Sequence, residues 1–352
     1  MKLGFYSPYL DTFGGGERYL LTLASNLSKN HDVDVFWNDN TIKAPLTRFL
    51  KIDLAKISFV KNIFSLNFYQ KLLKSRNYDL IFVLSDGSIP TTLSKNNILH
   101  FQVPFILRKP SLITRIKLSR YKWVIANSNF TKNFIDRSFG ISSKVIYPPV
   151  DIKSIKSSIH KEEIILSVGR FSASQLHPKK QEVLIDVFKV LSKKIPTWRL
   201  ILIGQAKKED QKYLRKLKKS TRGFAIKIIE NASADELRHI YSKTSIYWHA
   251  TGFSEDENRH PERMEHFGIA TVEAQAAGAV PVVINKGGQK EIVTNYKDGL
   301  LWSTKTELFD STLKLINDQN LFIKLSKNAI KNCKRFRQEK FIAEYEKIFS
   351  SI

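Results

Sequence analysis

Two glutamates eight residues apart, Glu265 and Glu273, enclose the stretch His266-Phe267-Gly268-Ile269-Ala270-Thr271-Val272. If the chain is helical from Gly268 onward, a rise of about 1.5 Å per residue sets the carboxylates roughly 12 Å apart. That is too far to share a proton or to flank a glycosidic bond as a hydrolase pair, which needs about 5 to 9.5 Å. It suits a ligand gripped at two remote points, with the free N–H groups of a helix start between them as an anion site. A bare E-x7-E is far more often just the solvated face of an amphipathic helix, so the surroundings decide. Small residues, Ala274-Gln275-Ala276-Ala277-Gly278, and a β-rich run, Val280-Pro281-Val282-Val283-Ile284, follow.

Other groups could act on an anion. Gly14-Gly15-Gly16-Glu17-Arg18 follows a first strand and opens a helix to about Lys29. Three glycines let a backbone come close to a ligand, and the helix start offers N–H groups to a phosphate. The dinucleotide fingerprint G-x-G-x-x-G is not matched, and a flexible loop is the competing reading. Val168-Gly169-Arg170-Phe171 ends another strand, and Lys179 stands nine residues beyond Arg170 at the head of a helical run. His100 closes the strand Ile98-Leu99-His100-Phe101, where a structural histidine is the alternative. The insert Gly252–Met264 is acidic, lacks metal-ligand spacing and reads as a solvated or lid loop. No H-E-x-x-H, paired C-x-x-C or G-x-S-x-G occurs, so no bound metal or other cofactor is expected.

These residues hang on an alternating pattern. Strands are expected at Leu3–Tyr6, Val33–Trp37, Leu80–Leu84, Ile98–Phe101, Trp123–Ala126 and Val145–Tyr147. After a break at Tyr147-Pro148-Pro149-Val150-Asp151, further strands are expected at Ile164–Val168, Leu200–Ile203, Ala225–Ile229, Ile246–Trp248, Val280–Ile284 and Leu300–Trp302. Helical patterns lie between. Alternation of this kind implies an α/β chain with parallel sheets covered on both faces and ligands at the carboxyl ends of the strands. Two series imply two doubly wound, Rossmann-like domains, 1–150 and 151–337. A last apolar helix, about 338–352, follows.

The 352 residues hold 57 Lys and Arg against 33 Asp and Glu, a formal charge of +24. Two segments of the first domain are densely basic. Lys43–Arg76 carries Lys43, Arg48, Lys51, Lys56, Lys61, Lys71, Lys74 and Arg76 against Asp53 alone; Arg108–Lys122 carries Arg108, Lys109, Arg115, Lys117, Arg120 and Lys122 with no acid. Both interleave charge with apolar residues as a surface-seeking helix does, which points to an anionic membrane surface or to a merely solvated face. No nucleic-acid-binding pattern supports an RNA or DNA partner. The single Cys333 and the strand-like start Met1–Tyr6 give a cytoplasmic expectation, with a peripheral place on the cytosolic membrane face.

The arrangement Glu265-x-Phe267-Gly268-x4-Glu273-Ala274-x-Ala276-x-Gly278-x2-Pro281-Val282-Val283, with Lys286-Gly287-Gly288-Gln289 and Asp298-Gly299-Leu300 behind it, resembles the donor-site signature of retaining GT-B glycosyltransferases of family 4. The resemblance implies two facing Rossmann-like domains, the last helix packing back on the first, and transfer of a hexose from a nucleoside diphosphate to a hydroxyl acceptor. GDP-mannose is favoured over UDP-glucose, and a lipid-linked or growing glycan is the acceptor. It gives Glu265 the transferred sugar, Glu273 the ribose hydroxyls, and Phe267, Gly268 and Ile269 the sugar and phosphate through backbone N–H groups. Arg170 and Lys179 would meet the leaving diphosphate, Gly14, Gly15 and Gly16 would approach it, Asn231 would stand by the base, and His100 by the sugar and acceptor. The chain departs from the pattern in four places: the longer Arg170–Lys179 spacing through Ser172–Pro178, Lys180 where Gly often follows, Asn231 where the family often has Gly, and the long insert before Glu265. A GT-B sugar-nucleotide epimerase and a non-catalytic nucleotide-sugar-binding subunit are the alternatives.

Overall fold

The computed structural model describes residues 1–107, 110–158 and 160–352. The chain divides into two compact units, Met1–Pro149 with Gln338–Ile352, and Val150–Arg337.

In the first unit the strands are β1 (Lys2–Tyr6), β2 (Asp32–Phe36), β3 (Ile57–Val60), β4 (Leu80–Ser85), β5 (Asn96–Phe101), β6 (Trp123–Ala126) and β7 (Lys144–Val145). All pair in parallel, in the order β3-β2-β1-β4-β5-β6-β7. The helices are α1 (Gly15–Leu27), α2 (Lys43–Leu50), α3 (Phe68–Ser75), α4 (Leu112–Leu118) and α5 (Asn129–Phe139). The second unit holds β8 (Glu162–Val168), β9 (Arg199–Gly204), β10 (Ile226–Glu230), β11 (Thr244–His249), β12 (Val280–Ile284) and β13 (Leu300–Trp302), again all parallel, in the order β10-β9-β8-β11-β12-β13. Its helices are α6 (Gln181–Leu191), α7 (Gln211–Ser220), α8 (Ala234–Lys243), α9 (Ile269–Ala276), α10 (Gln289–Ile292), α11 (Lys305–Asn317) and α12 (Gln319–Cys333). In each unit the winding reverses once, between β1 and β4 and between β8 and β11, and ligands of such sheets bind at that reversal.

The last helix, α13 (Gln338–Phe349), belongs to the first unit. Its apolar positions Phe341, Ile342, Tyr345 and Ile348 recur at helical spacing and enter the core formed by Leu3, Phe5, Leu20, Val35 and Phe82. Tyr345 Oη lies 2.8 Å from Tyr19 Oη, and Tyr19 donates to the Ile146 carbonyl at 3.1 Å. The returning helix therefore ends in a satisfied buried polar pair, the usual condition for burying tyrosine hydroxyls.

Two expectations are corrected. Lys43–Arg76 is not one surface helix but α2, an edge strand and α3. The strand β3 pairs with β2 through Val33↔Ile57 and Val35↔Phe59. Its short alternation is masked in the sequence by flanking Lys56 and Lys61. The strand expected at Val145–Tyr147 pairs only at Lys144 and Val145, because the prolines beyond Tyr147 supply no N–H to a ladder. Arg108 and Lys109 of the second basic segment lie outside the described residues. Among the described residues no helix is long and apolar enough to cross a membrane.

His100 lies wholly within the first unit's interior, its ring stacked on Tyr19 with centroids 3.9 Å apart, and neither ring nitrogen has a partner among the described residues. It sits one residue before the strand end, where the β5 side chain turns into the core and not toward solvent. In this conformation the side chain expected at the sugar and acceptor is a core residue. Burial lowers its pKa to about 3, so the native protein keeps it neutral while the unfolded chain protonates near 6.5. Stability from this group is full above about pH 6.5 and falls, by on the order of a few kcal/mol, as the pH drops toward 3. Replacement by Phe, whose ring fills a similar space, should flatten that decline, read as melting temperature against pH from 7 to 4. An unchanged slope would remove His100 as its source.

Candidate functional site at the second sheet reversal

The second unit concentrates charge where β8 and β11 diverge. Beyond β8, the Phe171 N–H donates to the Gln205 carbonyl at 2.8 Å and fixes the turn that carries Arg170. Arg170 is exposed and, among the described residues, its side chain makes no hydrogen bond or ion pair. A Cβ on Gly169 would lie 2.7 Å from Lys179 Cγ. That glycine is thus what lets the Lys179 stem lie over the strand end. Lys179 Nζ reaches Glu265 Oε2 at 2.6 Å. His249, the last residue of β11, brings Nε2 to the same oxygen at 3.0 Å. Burial alone would raise the Glu265 pKa, but the Lys179 ammonium and the His249 hydrogen bond outweigh it and hold the carboxyl well below the ordinary range. Glu265 is a fixed anion at neutral pH.

Around this pair stand two more histidines. His177 and His266 have ring centroids 4.9 Å apart. Burial lowers His266 to about 4, and burial, then Lys179 and His266, lower His177 well below its usual value. Both are neutral at pH 7, and so is His249, where burial outweighs the pull of Glu265.

Residues after Glu265 turn sharply into α9. Gly268 caps the helix at φ 122°, and a Cβ there would meet Gln289 Nε2 at 2.3 Å, so both conformation and space demand glycine. The Gly288 N–H donates to the Glu265 carbonyl at 2.7 Å, and a Cβ on Gly288 would meet the His266 carbonyl at 2.5 Å. Thr271 Oγ1 donates to Gln289 Oε1 at 2.9 Å. The Lys286-Gly287-Gly288-Gln289 turn thus clamps the backbone that presents Glu265 and the head of α9. The N–H groups of Gly268, Ile269 and Ala270 have no carbonyl one turn back within the helix. Glu273, on the next turn, accepts from Tyr241 Oη at 3.1 Å.

Of the expected site residues, Lys179, Glu265, Phe267, Gly268 and Ile269 converge here, Arg170 lies within charge reach of His177, and Glu273 follows on α9. Asn231 directly follows β10 in the left-handed conformation at φ 57°, exposed, its N–H on the Gly204 carbonyl. Asparagine tolerates that conformation better than most residues, which accounts for its standing where the resembled family often has glycine. Gly14, Gly15 and Gly16 belong to the first unit. Gly14 caps α1, its N–H on Glu17 Oε2 at 2.6 Å, and a Cβ on Gly16 would meet Gln102 Oε1 at 2.6 Å. His177, His249 and His266 were not singled out from the sequence; a histidine at the carboxyl end of a parallel strand was the available signal for His249.

Lys180 is left-handed at φ 53° and turns its Nζ to Glu255 at 2.8 Å, so Lys179 is the lysine that meets Glu265. The insert Gly252–Met264 is anchored and not a solvated loop. Besides Lys180, Glu255 holds Arg263 at 2.9 Å, and Glu257 holds Lys290 at 2.7 Å and the Gly287 N–H at 3.1 Å. Among the described residues no three His, Cys, Asp or Glu side chains are grouped to hold a metal ion.

Residues 151–335 match the family model described as "Glycosyl transferases group 1", and residues 13–154 match "Glycosyltransferase Family 4". A Dictyostelium discoideum GDP-Man:Man(3)GlcNAc(2)-PP-Dol alpha-1,2-mannosyltransferase is 28% identical over 67% of this chain and 48% of its own length. Its Homo sapiens counterpart is 25% identical over 74% and 58%. The chain spans about half the length of these curated relatives. The crystal structure of Anabaena HepE in complex with UDP and glucose superposes with a TM-score of 0.75 at 21% identity, over the whole of both chains. A Rickettsia africae glycosyltransferase gives 0.74 at 16% identity over 99% and 97%. The architecture is GT-B, and the chain belongs to the glycosyl transferases group 1 family of glycosyltransferases.

Proposed function

We propose that the protein transfers a hexose, with retention, from a nucleoside-diphosphate sugar to a hydroxyl of a lipid-linked or growing glycan. The observation that carries this reading is the Lys179–Glu265–His249 cluster at the head of α9. An anion locked in its ionised form beside a row of free N–H groups suits a ligand with hydroxyls at one end and a diphosphate at the other. Glu265 accepts from the sugar hydroxyls. Arg170, Lys179 and the α9 N–H groups take up charge as the glycosidic bond breaks; an ammonium has three donors and serves both a carboxylate and a phosphate. The departing phosphate oxygen takes the acceptor's proton, and the new bond forms on the same face. Glu273 receives the ribose hydroxyls, and Asn231 stands beside the base. GDP-mannose is the preferred donor, an assignment supported by what the curated relatives are named for, whereas the solved neighbour bound to UDP and glucose favours UDP-glucose. A thermal-shift panel of nucleoside diphosphates and their hexoses separates the two. No stabilisation by any of them would contradict the reading.

The first unit favours an acceptor at a membrane. On α3, Phe68, Tyr69 and Leu73 are exposed, Tyr69 by 77%; on α4, Leu112, Ile113 and Ile116 are exposed, Leu112 by 73%. Lys71, Lys74, Arg115 and Lys117 are interleaved with them. Burial, then the Lys117 charge, lowers the Lys71 pKa, so the two helices present neighbouring basic faces. Single exposed apolar side chains are ordinary, but six large ones among cations fit an anionic lipid surface. Vesicles rich in phosphatidylglycerol should pull the protein down at low salt and release it near 0.5 M. Replacing Leu112, Ile113 and Ile116 with Ser should cut binding about tenfold or more at unchanged melting temperature. Equal recovery on neutral vesicles would sink the anionic-surface proposal.

A further inference from the structure

We infer that the loop Ser172–Pro178, which makes the Arg170–Lys179 spacing long, adds a sugar-recognition element to the donor site, with His177 presenting its imidazole to a hydroxyl of the transferred hexose. The inference rests on the donor-site reading above and assigns a residue that reading does not use.

The loop leaves β8 at the sheet reversal and is held at both ends. Ser172 Oγ donates to Asp210 Oδ1 at 2.6 Å on one side. On the other, Lys179 is bonded to Glu265, and Gln181 Nε2 donates to the Arg170 carbonyl at 3.0 Å. Between these anchors His177 packs 4.9 Å from the ring of His266, the residue next to Glu265. The charged groups that act on it are Lys179, Glu265 and Arg170, the three side chains assigned to the sugar and the diphosphate.

Two features of the loop point to a ligand. Among the described residues His177 Nδ1 is sealed from solvent without a partner, and so are both amide atoms of Gln175. Buried polar groups left unpaired are destabilising, and a loop that keeps three of them is explained if a bound molecule supplies partners. The chemistry of the ring then selects the partner. Burial, Lys179 and His266 all oppose its protonation, so it is not a third cation for the diphosphate. A neutral imidazole has one donor and one acceptor, the complement of a hydroxyl. The transferred hexose is the hydroxyl-bearing group beside Glu265, which makes His177 a specificity-determining contact for the sugar and not for the nucleotide.

The test compares wild type, His177→Ala and His177→Asn by calorimetry with GDP, GDP-mannose, UDP and UDP-glucose, melting temperatures being recorded alongside. His177→Ala should weaken the nucleotide sugar by about tenfold, as expected when a hydroxyl loses its hydrogen-bonding partner. Affinity for the matching free diphosphate should stay within twofold, and His177→Asn should restore part of the difference. Equal losses for sugar nucleotide and diphosphate, or no loss for either, would overturn the inference by showing that His177 only props His266. A wild-type protein that binds none of the four compounds would overturn the donor-site reading itself. Binding that is indifferent to His177 would leave that reading standing.

Discussion

Glu265→Gln should lower turnover by about 10²- to 10³-fold while leaving the affinity for the free nucleoside diphosphate within a few-fold. The substitution keeps the size and hydrogen-bonding reach of the side chain but removes the fixed charge. In the native site that charge faces Lys179 at 2.6 Å and His249 at 3.0 Å, with the Glu265 side chain only 16% exposed. An oxocarbenium-like sugar gains most from a neighbouring anion at the transition state, so the loss falls on kcat more than on KM. The diphosphate should be indifferent or bind slightly better, because Lys179 is freed. The same change should alter acid stability. The folded Glu265 pKa is depressed, so its ion pair contributes above the unfolded value near 4.5, and that contribution is lost as the pH falls through the folded value. The variant should be less stable at pH 7 and lose less on acidification, measured by urea unfolding at pH 7 and pH 4. Turnover equal to wild type would remove Glu265 from the mechanism.

Arg170→Ala should cost about 2–4 kcal/mol in the transition state, a fall in kcat/KM of roughly 30- to 1,000-fold, with weaker binding of the free diphosphate as well. The side chain is exposed and makes no hydrogen bond or ion pair among the described residues. Its removal should therefore leave the melting temperature within about 1 °C, and a kinetic loss is not confounded by a folding loss. Arg170→Lys should recover only part of the activity, since a lysine cannot offer the planar two-point contact that a phosphate accepts from arginine. Steady-state kinetics and circular dichroism melts on the three proteins check both halves. A variant that loses stability and activity together would recast Arg170 as a structural residue.

The architecture was legible because parallel strands covered on both faces read as short apolar runs such as Ile164–Val168 and Val280–Ile284. The strand β3 was not, because four residues between lysines give too little alternation to stand out from a basic surface. Within the site, Arg170, Lys179 and Glu265 could be named from their motif. Their contacts could not, since the Lys179–Glu265 pair joins residues 86 apart in sequence and the His249–Glu265 pair residues 16 apart. The contact of Lys180 with Glu255, made through its left-handed turn, was equally out of reach, being a consequence of the insert's fold. His100 shows the converse. Its place near a strand end suggested a ligand contact, yet the pleat directs the ring onto Tyr19 inside the core.

All of this depends on the reversal between β8 and β11 being where the donor sits. Titration of GDP and GDP-mannose, or of UDP and UDP-glucose if that pair stabilises the protein, into wild type, Arg170→Ala and Glu265→Gln tests it most directly. Arg170→Ala should weaken the free diphosphate at least tenfold, roughly the loss of one charge-assisted contact. Glu265→Gln should keep the diphosphate affinity and lose only the increment that the hexose adds. Wild-type affinities for both compounds in both variants would show that the donor binds elsewhere and would contradict the account.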